Sequence, residues 1–421
     1  QALRGRPDGP ELLERSPSRP MPPVKPSDGP VAVTGAAGYI GAHLVLNLVQ
    51  HGYTVRACVR DPSLLDKTAH LTLMNSVGPG SVELCRGDLE VEGSYDDAFR
   101  GVVCVFHAAA ELGNNGPDPT PESVYRLGFD ATKWVVDSIK RAGTVKRIVY
   151  TSSLAAVCHP CPEGYQYTEA SWASMHQKPE RWNMDVVKRN RDVAYAMSKE
   201  DTEKYVYAEA EKMGIEGFGV MPCHVVGPLL ARNHHKSFSW QTRIGDMLEG
   251  VGHPPMMWNI VDVRDVAEAQ RLIAECAVNK NGERYNLVAT DESGFIPQSE
   301  LQAMLQRFYP QYGIGGDRKE GKAYRAPVCY LEKCITQLGL KPHTPEQAIK
   351  DNADSLIAWG RVATTGSARA RTWASSQSGP QASTRPWTPC RRRRSSRRWR
   401  SRLPWLRRPS CRSAPALGVP A

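Results

Sequence analysis

Tyr195-Ala-Met-Ser-Lys199 puts a phenol and an ammonium four residues apart, the spacing that brings two side chains onto one helix face. None of the other 14 of the chain's 15 tyrosines is followed by a lysine four residues later. An adjacent ammonium would lower the phenol pKa from about 10 and ease proton transfer near neutral pH. Upstream, Thr151-Ser-Ser153 ends an apolar run. Further upstream, Thr34-Gly-Ala-Ala-Gly-Tyr-Ile-Gly41 lies between a predicted strand and a predicted helix. In that setting Gly35 permits a tight turn, Gly38 a close backbone approach to a pyrophosphate, and Gly41 close packing of helix on sheet. Tyr39 and Ile40 open the helix, whose free N–H groups and dipole would face the phosphates. Together the three elements describe a site that grips a dinucleotide and moves a hydride beside a phenol proton donor.

Which dinucleotide is read at the end of the second strand, Val55-Arg-Ala-Cys-Val-Arg60-Asp-Pro62. An acid there would bind the ribose 2′-hydroxyl of NAD, whereas an arginine suits the 2′-phosphate of NADP. Arg60, with Lys67 in a following loop, favours NADPH, and Asp61 is the opposing signal.

The elements that hold these residues alternate strand and helix. Val31–Thr34, Tyr53–Val59, Val82–Cys85, Val102–Phe106, Val145–Thr151 and Gly217–Cys223 read as strands. Helical patterns fall at Tyr39–Gln50, Ser94–Arg100, Glu122–Arg141 and Tyr195–Met213. This predicts an α/β fold, a Rossmann-type doubly wound parallel sheet, with a smaller C-terminal substrate-binding part mainly after Pro228. We place the dinucleotide-binding domain at residues 30–360.

Outside it the composition changes. Residues 1–29 are rich in Pro, Arg and Ser, lack periodicity and read as a disordered extension, with Met21 a candidate start. Residues 361–421 hold 15 Arg, no Lys and no acid, which leaves 39 basic against 44 acidic residues in the body. The formal net charge of +10 therefore belongs to the tail. Such a tail cannot bury a core. It reads either as a basic surface for nucleic acid or, on balance, as a mistranslated end. The body offers nothing to nucleic acid. No run of about 18 apolar residues marks a membrane span. The 11 cysteines are scattered, so we expect a reducing, cytoplasmic location. Cys158-His-Pro-Cys161 reads as two loop thiols, because no second pair at zinc spacing is evident. No metal is expected.

The motifs then support a resemblance. From about Pro30 to Gly360 the chain resembles an extended short-chain dehydrogenase/reductase of the dihydroflavonol reductase, cinnamoyl-CoA reductase and aldehyde reductase group. The resemblance rests on Gly52–Pro62, Gly87-Asp-Leu89, Phe106-His-Ala-Ala-Ala110, Val149-Tyr-Thr-Ser-Ser153, Pro222-Cys-His-Val-Val-Gly-Pro228 and Val261-Asp-Val-Arg-Asp-Val266, in family order. It implies that Ser153 holds a substrate carbonyl oxygen and Tyr195 donates the proton as hydride arrives from the nicotinamide. Lys199 would tune and orient that phenol. Asp88 and Leu89 would flank the adenine, Ala108, Ala109 and Ala110 would line the cofactor path, and backbone from Pro222 to Val225 would meet the carboxamide. The expected partner is a small-molecule carbonyl compound, and the expected assembly a monomer or homodimer.

Departures limit the substrate. Cys158 stands where dihydroflavonol reductases place an asparagine, and Asp192-Val-Ala-Tyr195 replaces the Asn-Trp-Tyr-Cys-Tyr run of plant cinnamoyl-CoA reductases. The stretch from Ser153 to Tyr195, with Trp172 and Trp182, reads equally as a substrate wall or a surface loop. Alternatives are a hydroxysteroid- or sugar-nucleotide-type dehydrogenase or epimerase, and a non-catalytic dinucleotide-sensing protein. Intact Ser153, Tyr195 and Lys199 argue against the last.

Overall fold

Short β-branched runs closed by glycine or proline become the strands, and the amphipathic stretches between them become the covering helices. The computed structural model describes residues 21–110, 120–158, 166–235, 240–278, 280–288, 296–316 and 330–363. The first half runs β1 (Val31–Thr34), α1 (Tyr39–Gln50), β2 (Thr54–Val59), α2 (Leu65–Leu73), β3 (Ser81–Arg86) and α3 (Asp96–Phe99). It continues through β4 (Cys104–His107), α4 (Pro121–Ala142), β5 (Arg147–Thr151), α5 (Met184–Val187), α6 (Arg191–Met213) and β6 (Glu216–Pro222). The second half holds β7 (His224–Val226), α7 (Trp240–Leu248), β8 (Met257–Trp258), β9 (Ile260–Asp262), α8 (Val263–Glu275) and β10 (Glu283–Leu287). Then come β11 (Ile296–Pro297), α9 (Gln298–Phe308), α10 (Glu332–Leu338) and α11 (Pro345–Ala358).

Seven strands form one parallel sheet in the order β10-β6-β5-β4-β1-β2-β3. Successive strand residues feed opposite cores, as a sheet covered on both faces requires. Val31 and Val33 join the core that α1 and α8 cover, while Ala32 joins the one under α3 and α4. The chain reverses direction across the sheet between β1 and β4. In sheets of this kind such a switch point, at the strands' carboxyl ends, is where ligands bind.

Residues after Pro228 do not form a body apart. β10 is the seventh strand, and α8 packs on α1. The remainder builds a second core from Leu229, Ile244, Met247, Trp258, Leu301 and Leu356. Arg264, in the Val-Asp-Val-Arg-Asp-Val stretch, ties it down by bridging Asp262 on β9 and Asp351 on α11.

Both predicted boundaries need correction. Residues 21–29, expected in the disordered extension, are anchored, and residues 1–20 lie outside the described residues. Val24 is fully buried, its N–H donates to the Ala274 carbonyl at 2.9 Å, and Tyr53 donates to its carbonyl at 3.0 Å. Met21 is held by Glu216 and by the buried Arg147 guanidinium. At the other end, Arg361 pairs with Asp246 and Glu249, and Val362 is buried, so the body extends to 363. The rest of the arginine-rich tail, and Cys161, lie outside the described residues. Among those described, no helix is long and apolar enough to cross a membrane.

Candidate active site

The glycine turn is built as its spacing predicts. Gly35 adopts φ +65°, and a Cβ there would lie 2.8 Å from Ala109 Cα on the neighbouring turn after β4. A Cβ on Gly41 would overlap the Gly35 carbonyl oxygen, so only glycine lets α1 start this close to β1. Gly38 is exposed and caps α1 without a side-chain hydrogen bond. The first helical bond runs from Ala42 N–H to the Gly38 carbonyl at 2.9 Å, which leaves the amides of Tyr39, Ile40 and Gly41 at the open helix end. This is a cradle of backbone donors, and it fits a pyrophosphate. Tyr39 contributes backbone only, since its hydroxyl donates to the Gly227 carbonyl at 2.8 Å. Ile40 is half-buried against the main core.

Arg60 is exposed at the end of β2, one strand over from that cradle. Asp61 is occupied locally, because its carboxylate accepts from Ser63 N–H (2.9 Å) and Ser63 Oγ (2.6 Å). Those bonds hold its carboxyl below the usual range, and the nearby charges of Arg86 and Lys67 add to the effect. Lys67 is not in a loop, as expected. It lies in the first turn of α2, which begins at Leu65, and it is exposed there. Asp88 and Leu89 are half-buried just after β3. Ala108 and Ala109 are half-buried and Ala110 exposed after β4, while Pro222 and Val225 are buried at the end of β6 and in β7.

The proton-donor pair sits on α6. Asn190 caps that helix by accepting from the Asp192 and Val193 amides, so it starts four residues before Tyr195. Ser153 stands just past β5, with its Oγ accepting from Ala155 N–H at 3.2 Å. Its hydroxyl faces the Tyr195 phenol and acts on it as a hydrogen-bonding neighbour that favours the ionised form. Burial pushes that phenol above its ordinary pKa, and the Ser153 bond partly opposes this. The expectation that Lys199 sets the phenol low is not met. Its ammonium is buried, donates to the Thr151 carbonyl at 3.0 Å and lies 5.9 Å from the Tyr195 ring centre. Burial brings Lys199 itself down to about 8.

The Ser153–Tyr195 stretch proves to be packed structure where it is described. Trp182, Val186 and Tyr195 all pack against one buried cluster that includes Val187, Val193 and Met197, and Trp172 covers the Arg284 guanidinium at 3.6 Å. Cys158 is buried, with its thiol on the Leu154 carbonyl.

Two buried supports were not singled out from sequence. Thr132 Oγ1 donates its proton to the Gly128 carbonyl (2.9 Å), so neutral His107 carries its proton on Nε2 and donates it to Thr132 Oγ1 (3.0 Å). Its Nδ1 accepts from Thr34 Oγ1 (2.8 Å), which itself accepts from the Ala109 amide (3.1 Å). Burial drives the imidazole down to about 3, so it stays neutral and pins the Ala108–Ala110 turn. The second support is Glu203, which binds Ser152 and Arg284. Nothing local marks His107, but Glu203 continues the four-residue stripe of Tyr195 and Lys199.

A family model described as NAD dependent epimerase/dehydratase family matches residues 31–287. Dihydroflavonol 4-reductase of Hordeum vulgare is 35% identical over 293 residues, 68% of this chain and 77% of that protein. Cinnamoyl-CoA reductase 1 of Oryza sativa subsp. japonica is 30% identical, covering 74% of this chain and 85% of that protein. Among solved structures, alfalfa (Medicago sativa) vestitone reductase superposes with a TM-score of 0.62 at 24% identity, over 79% of this chain and all of that one. A yeast methylglyoxal/isovaleraldehyde reductase complexed with NADPH gives 0.64 at 23% identity, over 79% of this chain and 99% of that one. At these identities the superpositions speak for the fold alone.

Proposed function

The chain belongs to the NAD dependent epimerase/dehydratase family and is an oxidoreductase of the extended short-chain type; from that premise we propose that it reduces a small aldehyde or ketone to an alcohol with NADPH. One observation carries the reading. Tyr195 faces Ser153 at the end of β5, with Lys199 buried one helical turn on and held by the Thr151 carbonyl, in the same sheet whose β1 carries the glycine turn.

NADPH, when bound, supplies the hydride from its nicotinamide. Gly35, Gly38 and the amides of Tyr39 to Gly41 would hold the pyrophosphate, and Arg60 would meet the 2′-phosphate with Lys67 close by. Ser153 orients the carbonyl oxygen through its hydroxyl. Tyr195 gives that oxygen its proton, and the raised phenol pKa keeps the proton in place until it is needed. Lys199 then faces the phenolate left behind, its ammonium aimed by the Thr151 carbonyl. The neutral His107 beneath keeps the Ala108–Ala110 wall rigid without adding a charge.

A substrate panel tests this. The full chain is mixed with NADPH and aliphatic or aromatic aldehydes and ketones, with nicotinamide absorbance as the readout. Hydroxysteroids and sugar nucleotides are run in parallel with NADP. Consumption of NADPH by at least one carbonyl compound is expected. Turnover confined to sugar nucleotides or hydroxysteroids would reassign the reaction.

A further inference from the structure

Tyr195, Lys199, Glu203 and Tyr207 fall on one face of α6 at successive turns. Two of them enter the proposed reaction. Glu203, the next along, has no exposure, yet its carboxylate is crowded with donors. Ser152 Oγ donates to Oε2 at 2.7 Å, and Tyr207 donates to Oε1 at 2.6 Å. Arg284 reaches across from β10 to both oxygens. Gly219 on β6 provides the room, since a Cβ there would sit 2.6 Å from Glu203 Oε1. Arg284 is fixed in turn by the Glu169 carbonyl at 2.8 Å and by Trp172. A buried ion pair is a poor source of net stability by itself. Its place directly behind the site points to another use.

We infer that Glu203 is a positioning residue of the reductase reaction, holding Ser152 at the end of β5 and setting the field at the Lys199 ammonium. The inference rests on the reading of Tyr195 and Lys199 given above. Ser152 is flanked by Thr151, whose carbonyl aims Lys199, and by Ser153, which faces the phenol. One carboxylate therefore locks both contacts of the proton-donor pair.

The charges around Lys199 support this. Burial drives the ammonium down and the Glu203 carboxylate opposes that fall, the two together leaving it at about 8. The other groups facing it are His107 from β4, which is neutral, Tyr150 from β5, 5.0 Å from the ammonium to the ring centre, and Tyr195 on its own helix. Cys223, after β6, faces Tyr195. On the α4 side, Asp201 is occupied by Tyr125. Glu203 itself faces Arg284, Tyr207, Tyr150 and Ser152.

The sign follows directly. Lys199 is cationic below about 8, so reduction should fall as pH rises through that value. Neutralising Glu203 makes the cation harder to keep, and the alkaline limb should move to lower pH. Arginine lost from position 284 leaves the carboxylate less compensated, and the limb should move the other way.

The test is the pH profile of kcat and KM from pH 6 to 10, on the full chain and on Glu203→Gln, Glu203→Asp, Arg284→Gln and Tyr195→Phe. For Glu203→Gln the limb should move down by about one pH unit, with kcat at pH 8 reduced about fivefold and NADPH KM within about twofold. Glu203→Asp should restore most of the limb, and Arg284→Gln should move it up. If Glu203→Gln does not fold, the Asp and Arg284 variants decide. An unmoved limb in every folded variant, or shifts of one sign for Glu203→Gln and Arg284→Gln, would overturn this role and leave the reductase reading standing. Undiminished turnover by Tyr195→Phe would overturn both.

Discussion

Replacing Tyr195 with phenylalanine is expected to lower kcat by about 10²–10⁴-fold while NADPH binding stays within about twofold. The substitution removes one oxygen atom. That atom faces Ser153, and in the proposed reaction it carries the proton that is given to the substrate oxygen. The ring packs against the buried cluster of Val124, Val187, Val193, Ala194 and Met197, and phenylalanine keeps that packing. The lost hydrogen bond costs about 1 kcal/mol of stability, so the fold should survive. Steady-state kinetics give the loss, and quenching of tryptophan fluorescence by NADPH gives the binding. Loss of binding together with turnover would instead mark Tyr195 as part of the cofactor's seat.

Arg60→Ala should weaken NADPH by about 10–100-fold and leave NADH within about twofold. One arginine–phosphate contact contributes about 1.5–3 kcal/mol, which sets that range. Asp61, the opposing signal, has its Oδ1 engaged by both Ser63 N–H and Ser63 Oγ. Lys67 and Arg86 remain nearby, so some preference for NADPH should persist. Parallel fluorescence titrations with both cofactors read the effect. Equal weakening of the two would refute the 2′-phosphate role.

Much of this was legible because it is local. The strands follow apolar runs of four to seven residues, and both α1 and the glycine turn lie where their spacing puts them. The Tyr195–Lys199 pair is a helix-face argument, and the helix is there. What sequence hid is tertiary. Val24 looks like one apolar residue in a proline-rich leader, yet its partner is Ala274, on the far side of the chain. Arg361 belongs in composition to the basic tail, but Asp246 and Glu249 hold it in the fold. Arg284 gives no local sign that it will meet Glu203, 81 residues away. Burial also reversed one electrostatic expectation. A lysine one turn from a tyrosine should lower the phenol in water, but at this site desolvation dominates and moves both groups toward neutrality.

The central claim is transfer of hydride to a carbonyl carbon, and an isotope reports it most directly. The full chain is incubated with NADPH deuterated at C4 of the nicotinamide and with each aldehyde or ketone it consumes, and the alcohol is analysed by mass spectrometry. The account predicts one deuterium on the carbinol carbon for each NADPH oxidised. Alcohol without deuterium from cofactor labelled on either face, or a panel in which NADPH binds but no carbonyl is reduced, would contradict it.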